Sequence, residues 1–98
     1  MGEEWVAVED PFARRLIDAY LSRRKADIEL LRSASRAGEF ESVRVKGHNL
    51  IGSGSAYGLE KISEFGSLIE EAAKLEDDSE VNAQIDNLEN YLRKIRIL

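Results

Sequence analysis

The sequence contains no cysteine and a single histidine, and both shortages limit the chemistry available to the chain. Without cysteine, disulfides, thiolate catalysis and cysteine-ligated metal sites are excluded. A metal or cofactor site inside a helical bundle needs several histidines and facing glutamates, and this chain has one histidine and no Glu-x-x-His pair. We therefore expect no metal site and no bound cofactor.

Long hydrophobic runs are also absent. No apolar stretch approaches the roughly 20 residues that span a bilayer, and the acidic start at Met1–Glu4 lacks the basic flank of a secretory signal. We expect a chain without membrane contacts. A cytoplasmic location is the default expectation, and the lack of cysteine is compatible with that reducing compartment.

The chain also lacks an excess of positive charge. Its formal net charge is -5, with nine basic and nine acidic residues in positions 1–50 and five basic and ten acidic residues in positions 51–98. Because phosphate binding needs a concentrated basic face, nucleic acid is a poor candidate partner. The basic residues from Arg14 to Lys46 either face an acidic partner protein or form the solvated side of a helix.

Hydrophobic spacing predicts four helices, which cover residues 11–37, 40–56, 59–75 and 79–97. Asp10 and Pro11 indicate the first helix start, because aspartate accepts from free N–H groups and proline is tolerated at the first helical position. Gly38 indicates the end of this helix. Asp77 and Glu80 have capping-box spacing ahead of the fourth helix.

Each predicted helix has one apolar face. These faces contain, in chain order, Phe12, Leu16, Ala19, Tyr20, Ile28, Leu31 and Ala34 or Ser35; Phe40, Val43, Gly47, Leu50, Ile51 and Gly54; Leu59, Ile62, Phe65, Ile69 and Ala72 or Ala73; and Val81, Ile85, Leu88, Leu92 and Ile95. Short loops between the helices favour antiparallel packing of successive helices. We predict an all-α fold, an antiparallel up-and-down four-helix bundle that forms a single domain over residues 1–98.

Two parts of this prediction concern the ends of the chain. The leader, residues 1–10, holds Trp5 and Val8, and we expect it to cap one end of the bundle as an extra short helix. The stripe from Val81 to Ile95 has a seven-residue repeat that also permits a helical dimer. It is more simply the bundle core, so we expect a monomer.

His48 is the one side chain whose unperturbed chemistry suits nucleophilic or acid–base work near neutral pH. On its helix it falls about 120° from the middle of the apolar face, so the imidazole points to solvent or to a groove margin. Gly52 lies one turn further along the same exposed face. A glycine inside a helix costs about 1 kcal/mol relative to alanine. Close helix packing explains Gly47 and Gly54, whereas clearance beside His48 is the better explanation of Gly52.

The run from Gly47 to Gly58, GHNLIGSGSAYG, resembles the signature of histidine-containing phosphotransfer domains. In that family a small residue precedes the histidine, and x-Leu-Lys-Gly-Ser, small residues and a closing glycine follow it. The matching positions here are His48, Leu50, Gly52, Ser53 and Gly58. The resemblance extends over nearly the whole chain, since residues 37–40 look like the turn before the histidine helix and residues 59–74 look like the helix after it.

One position departs from the family pattern. Ile51 stands where these domains usually carry lysine, so the cation that would screen an incoming phosphoryl group is missing. Arg44, one turn before His48, is a candidate replacement, and Lys61 is a second one if it folds back from the next helix. Ser55 stands where the family tends to have alanine, and we expect it to flank the exposed face. Lys46 is a weaker candidate, because it points about 160° away from the imidazole.

The resemblance implies that His48 is a phosphoacceptor and that the chain relays phosphoryl groups. His48 would receive the group from the aspartyl phosphate of a receiver domain or from a sensor kinase, and pass it to another receiver aspartate. The receiver would bring the carboxylates and the magnesium ion, because this chain has no nucleotide loop and no metal site. We expect no ATP binding and no kinase activity of its own.

An adaptor is the alternative function. It would keep the helical fold and bind a receiver or kinase domain through the face around His48 without being phosphorylated. The apolar Ile51, next to the space left by Gly52, favours this alternative, because exposed apolar surface is suited to noncovalent binding of a partner. In both cases we expect Asn49 and Ile51 to rim the docking surface, with Ile51 equally placed to be an edge core residue.

Overall fold

The computed structural model describes residues 3–98, which form four helices and two short strands. The elements are β1 (Glu4–Val6), α1 (Pro11–Arg36), α2 (Phe40–Ala56), α3 (Glu60–Lys74), α4 (Asp78–Lys94) and β2 (Ile95–Ile97). The four predicted helices are all present, and only the end of the last one differs from its prediction by more than one residue. No helix within residues 3–98 combines the length and apolar character needed to cross a membrane.

The helix ends follow the expected local chemistry. The Asp10 side chain accepts a hydrogen bond from the Phe12 backbone N–H at 3.0 Å, and Pro11 is the first residue of α1. The Asp77 side chain accepts from the Glu80 N–H at 3.1 Å at the start of α4. Gly38 has a φ of 72°, a left-handed conformation that glycine adopts without steric cost and that ends α1.

The two ends of the chain correct the all-helical prediction. Residues 4–6 of the leader form a strand and not a short helix, and residues 95–97 leave the fourth helix to pair with them in parallel. Ile95 has an extended backbone, with φ -69° and ψ 137°. The Ile-Arg-Ile sequence alternates β-branched and polar side chains, which favours a strand once a partner strand is available to accept its backbone hydrogen bonds.

The core contains most of the predicted apolar faces. Its buried hydrophobic side chains are Ile17, Tyr20, Leu21, Ile28, Leu31, Val43, Leu50, Leu59, Ile62, Ile69, Ala72, Ala73, Val81, Ile85, Leu88, Tyr91, Leu92 and Ile95. Phe12 and Leu16, predicted for the same face as Tyr20, are 60% and 45% exposed. Ala19 is exposed as well. The buried side of α1 passes instead through Ile17, Tyr20 and Leu21, so Leu16 lies next to a core position but points away from the core.

Helices α2 and α3 approach each other through glycines. A Cβ atom built on Gly47 would lie 2.8 Å from the Gly66 carbonyl oxygen, and one on Gly66 would lie 2.7 Å from the Gly47 carbonyl oxygen. One on Gly54 would lie 2.7 Å from the Ser63 backbone nitrogen. The prediction that Gly47 and Gly54 serve close packing is confirmed, and this packing sets the register of α3 against the histidine helix.

Polar contacts join α1 to α2 and to α4. Lys46 of α2 binds the buried Asp27 of α1 at 3.0 Å, and the Tyr20 hydroxyl lies 2.8 Å from the Ser53 hydroxyl. The Ser35 hydroxyl of α1 donates to Asp78 of α4 at 2.9 Å. Arg32 of α1 binds Asp86 and Glu89 of α4.

Candidate functional site

His48 lies on the outer side of α2, next to α3. Its side chain is 67% exposed, and its neighbours Gly47 and Leu50 face the core. The Nδ1 atom of His48 lies 3.1 Å from the Oε2 atom of Glu70 on α3. The imidazole is therefore anchored at one nitrogen and open to solvent around the rest of the ring.

Glu70 is the residue of this candidate site that sequence reasoning missed. Its side chain is only 13% exposed, and its Oε2 atom contacts both His48 and, at 3.7 Å, the Arg44 guanidinium. Glu70 comes 22 residues after His48 and lies one turn after Gly66. Because α2 and α3 are in contact at Gly47 and Gly66, the Glu70 carboxylate lies next to His48. This contact depends on the register between the two helices, which the spacing of residues within one helix does not predict.

The contact with Glu70 determines which imidazole nitrogen can react. An ionised carboxylate only accepts hydrogen bonds, so the Nδ1–H group of His48 donates to Glu70. In a neutral imidazole the proton then resides on Nδ1, and Nε2 holds the free lone pair. This tautomer is inferred from the hydrogen bond. The imidazole is thus exposed, its Nε2 atom has a free lone pair, and the hydrogen bond to Glu70 fixes the orientation of the ring.

Arg44 places a cation one turn before His48. Its guanidinium binds Glu41 through two hydrogen bonds, of 3.0 and 2.6 Å, in addition to its contact with Glu70. These hydrogen bonds lower the pKa of the Glu41 carboxyl below its usual range and raise the pKa of Arg44. Arg44 therefore stays charged beside His48, with two carboxylates sharing its charge.

The other residues predicted around His48 differ in their surroundings. A Cβ built on Gly52 would meet no heavy atom within 4 Å, so packing does not require a glycine there. Asn49 is exposed and borders a shallow pocket with Val45 and Glu41. Ile51 is half-buried, and its carbonyl oxygen accepts from the Ser63 hydroxyl at 2.6 Å. Ile51 thus lies at the edge of the α2–α3 contact.

Three residues considered for this face make contacts elsewhere. The Ser55 hydroxyl donates to Glu60 at 3.4 Å and lies 3.0 Å from the Ser63 hydroxyl. Lys61 binds Glu4 of β1 at 3.3 Å, and Lys46 binds Asp27 of α1. Of the three candidate cations, Arg44 contacts Glu70 and so lies beside His48. Lys61 and Lys46 bind carboxylates away from the imidazole.

The part of the chain covered by residues 3–98 contains no group of three or more histidine, aspartate or glutamate side chains arranged to hold a metal ion. The chain matches no family model, no curated protein and no solved structure. The case for a function consequently rests on the residues and geometry around His48.

Proposed function

We propose that this protein is a phosphorelay intermediate that accepts a phosphoryl group on Nε2 of His48 and donates it to a receiver-domain aspartate. The observation that supports this most directly is the exposed imidazole whose Nδ1–H donates to Glu70. The resemblance of residues 47–58 to histidine-containing phosphotransfer domains supports it independently. The same resemblance implies a receiver domain, a sensor kinase or both as partners.

The reaction needs little from this chain beyond a positioned nucleophile. The Nε2 lone pair attacks the phosphorus of an aspartyl phosphate, so that a P–N bond forms while the P–O bond to aspartate breaks and the carboxylate leaves. Donation is the reverse reaction on a second receiver. Phosphoryl transfer depends mainly on in-line positioning and charge stabilisation. The receiver supplies the magnesium ion, and Glu70 and Arg44 orient and screen the imidazole from this side.

The proposed fold is an antiparallel up-and-down bundle. Contacts between α1 and α2 pair Asp27 with Lys46 and Tyr20 with Ser53, so positions rise on one helix as they fall on the other. Between α2 and α3, Gly47 lies against Gly66 and the later residue Gly54 lies against the earlier residue Ser63, so these two helices also run in opposite directions. These contacts support alternating directions. As a carrier without kinase activity, the protein would work as a cytoplasmic monomer that leaves the His48 face open to one partner at a time.

The proposal is tested by incubating the protein with a phosphorylated receiver domain, or with a broad-specificity sensor kinase and ATP. We expect label on the chain that is lost in acid and stable in base, as a phosphoramidate requires. A control without any donor protein, containing this chain and ATP alone, should remain unlabelled.

Removing the Glu70 carboxylate should slow phosphorylation without unfolding the protein. In Glu70→Ala the imidazole loses the acceptor that fixes its tautomer, and a hydrogen bond to a charged group contributes about 1.5–3 kcal/mol, so we expect a decrease in rate of about tenfold or more. The ¹⁵N chemical shifts of His48 would report the loss of the Nδ1–H tautomer. Glu70→Gln keeps an acceptor oxygen and should retain most of the rate, and equal defects in both variants would contradict the positioning role.

Gly52→Leu should block transfer while leaving the helices intact. The leucine side chain would occupy the open space beside His48, where a partner must approach, and no residue lies within 4 Å of the added Cβ to be disturbed. Gly52→Ala is the matched control, since it adds one methyl group on the same face. Transfer rates measured with one receiver domain, alongside helix content from circular dichroism, check this prediction. Normal transfer by Gly52→Leu would remove Gly52 from the docking surface.

An adaptor that binds a receiver or kinase domain through the same face is the second candidate. Val45 favours it, because this side chain is 42% exposed on the outer side of α2 and lines the shallow pocket beside Asn49. An adaptor would bind the partner in its unphosphorylated form and carry no label under any donor.

A further inference from the structure

The seam between α1 and α4 is closed at one end and open at the other. At the closed end Arg32 binds Asp86 at 2.9 Å and Glu89 at 2.8 Å, and Ser35 donates to Asp78. Toward the other end lie two adjoining grooves of about 560 and 380 Å³, which share Lys25 and Arg96 as lining residues. We call the two together the α1–α4 groove.

The walls of the α1–α4 groove carry more positive than negative charge. Its charged lining residues are Arg14, Lys25, Arg93 and Arg96, against Asp18 and Glu89. The side chains at its base are hydrophobic and belong to the core, namely Leu21, Ile28, Leu92 and Ile95. A basic groove with an apolar base is unexpected on a chain whose net charge is -5.

Several of these cations are unpaired or only partly paired with carboxylates. Arg14 and Lys25 form no ion pair with any carboxylate among residues 3–98. Arg93 is 70% exposed and contacts Glu89 at 3.4 Å, but Glu89 is already bound by Arg32. Arg96 contacts Glu3 at 3.2 Å. The positive charge that residues 3–98 leave without an ion pair therefore lies on Arg14 and Lys25, on the α1 side of the groove.

We propose that the α1–α4 groove binds an acidic peptide segment of a partner protein, with carboxylates on the exposed cations and an apolar side chain over the base. Charge complementarity supports this occupant, since complementary potentials select partners and speed association. The groove lies between α1 and α4, whereas His48 lies on α2 against α3. A partner bound there would leave His48 free, and such a tether raises the effective concentration of a linked domain at His48.

The inference is independent of the phosphorelay proposal and needs no phosphoryl donor to test it. The probe is a synthetic ten-residue peptide of glutamate and leucine, titrated into ¹⁵N-labelled protein and followed by NMR. We expect saturable shifts confined to groove residues, and affinity that falls with added salt. The same peptide with glutamine in place of glutamate should bind at least about tenfold more weakly, since several charge contacts are lost.

Variants separate the groove from general surface charge. The double variant Lys25→Gln and Arg93→Gln should weaken binding by about tenfold, whereas Lys74→Gln on α3 removes an exposed cation elsewhere and should change nothing. The proposal would be overturned if shifts follow all surface cations alike, if both peptides bind equally, or if no binding occurs by about 1 mM peptide. Inorganic phosphate, single-stranded RNA or phosphatidylserine vesicles that bind better than the peptide would also overturn it.

Discussion

His48→Gln is expected to lose all acid-labile phosphorylation while remaining folded. The chain has one histidine, so no second imidazole can accept the group. Because the His48 side chain is 67% exposed and a glutamine amide can still donate to Glu70, the change should lower the free energy of unfolding by no more than about 1.5 kcal/mol. Phosphate label after incubation with a phosphorylated receiver domain measures the first effect, and urea denaturation measures the second.

This variant also separates the two candidate functions. A relay loses its activity completely in His48→Gln, whereas an adaptor retains its affinity for the receiver domain and shows no label even in the wild type. Label that persists in the variant would contradict the assignment of His48. Wild-type protein that takes no label from any donor, yet binds a receiver domain, would favour the adaptor.

Gly66→Val is expected to cause the largest loss of stability. Its Cβ would lie 2.7 Å from both the Gly47 carbonyl oxygen and the Leu50 Cβ, closer than nonbonded atoms approach. One of these contacts is with backbone, so only separation of α2 and α3 can relieve it. Overpacking of a core typically costs 1–3 kcal/mol, and with rigid backbone in the contact we expect about 3 kcal/mol or more.

A glycine on the open face provides the matched control. Gly52→Ala adds a methyl group that meets nothing within 4 Å, and it replaces the poorest ordinary helix former with the best. We expect it to stabilise the protein by about 0.5–1 kcal/mol. Thermal or urea unfolding of both variants checks the pair. Similar stabilities for Gly66→Val and Gly52→Ala would mean that α2 and α3 do not pack through their glycines.

Gly66→Val also tests how the site is assembled. Moving α3 away from α2 would carry Glu70 away from the imidazole, although Gly66 touches neither group. We therefore expect the variant to lose the Nδ1–H tautomer of His48 wherever it remains folded. This links the glycine contact in the interior to the chemistry at the surface.

The sequence was sufficient for features that depend on neighbours along the chain. Helix starts at Asp10 and Asp77 follow from side chains that accept backbone N–H groups two or three residues away. The exposed position of His48 follows from helical periodicity, because Gly47, Leu50 and Gly54 mark the buried side of the same helix. The difference between Gly52 and Gly47 follows from the same periodicity.

Features that join distant parts of the chain required the tertiary structure. The pairing of residues 4–6 with residues 95–97 replaced helix by strand, because a three-residue strand forms only where another strand accepts its hydrogen bonds. Likewise, Phe12 and Leu16 have the spacing of core residues, but the buried side of α1 passes through Ile17 and Leu21 and leaves both exposed. Periodicity shows that a helix has an apolar side, and it does not decide which of two adjacent apolar positions a partner helix covers.

The sequence by itself determined the four helices and the outward-facing His48, because each depends on interactions within a few residues. Only the tertiary structure decided that Glu70, 22 positions away, binds the Nδ1 atom of His48. That contact depends on the register of α2 against α3, which is set by the close approach of Gly47 and Gly66. Residue spacing within a helix does not predict such a register, because sliding one helix along another leaves the spacing of residues within each helix unchanged.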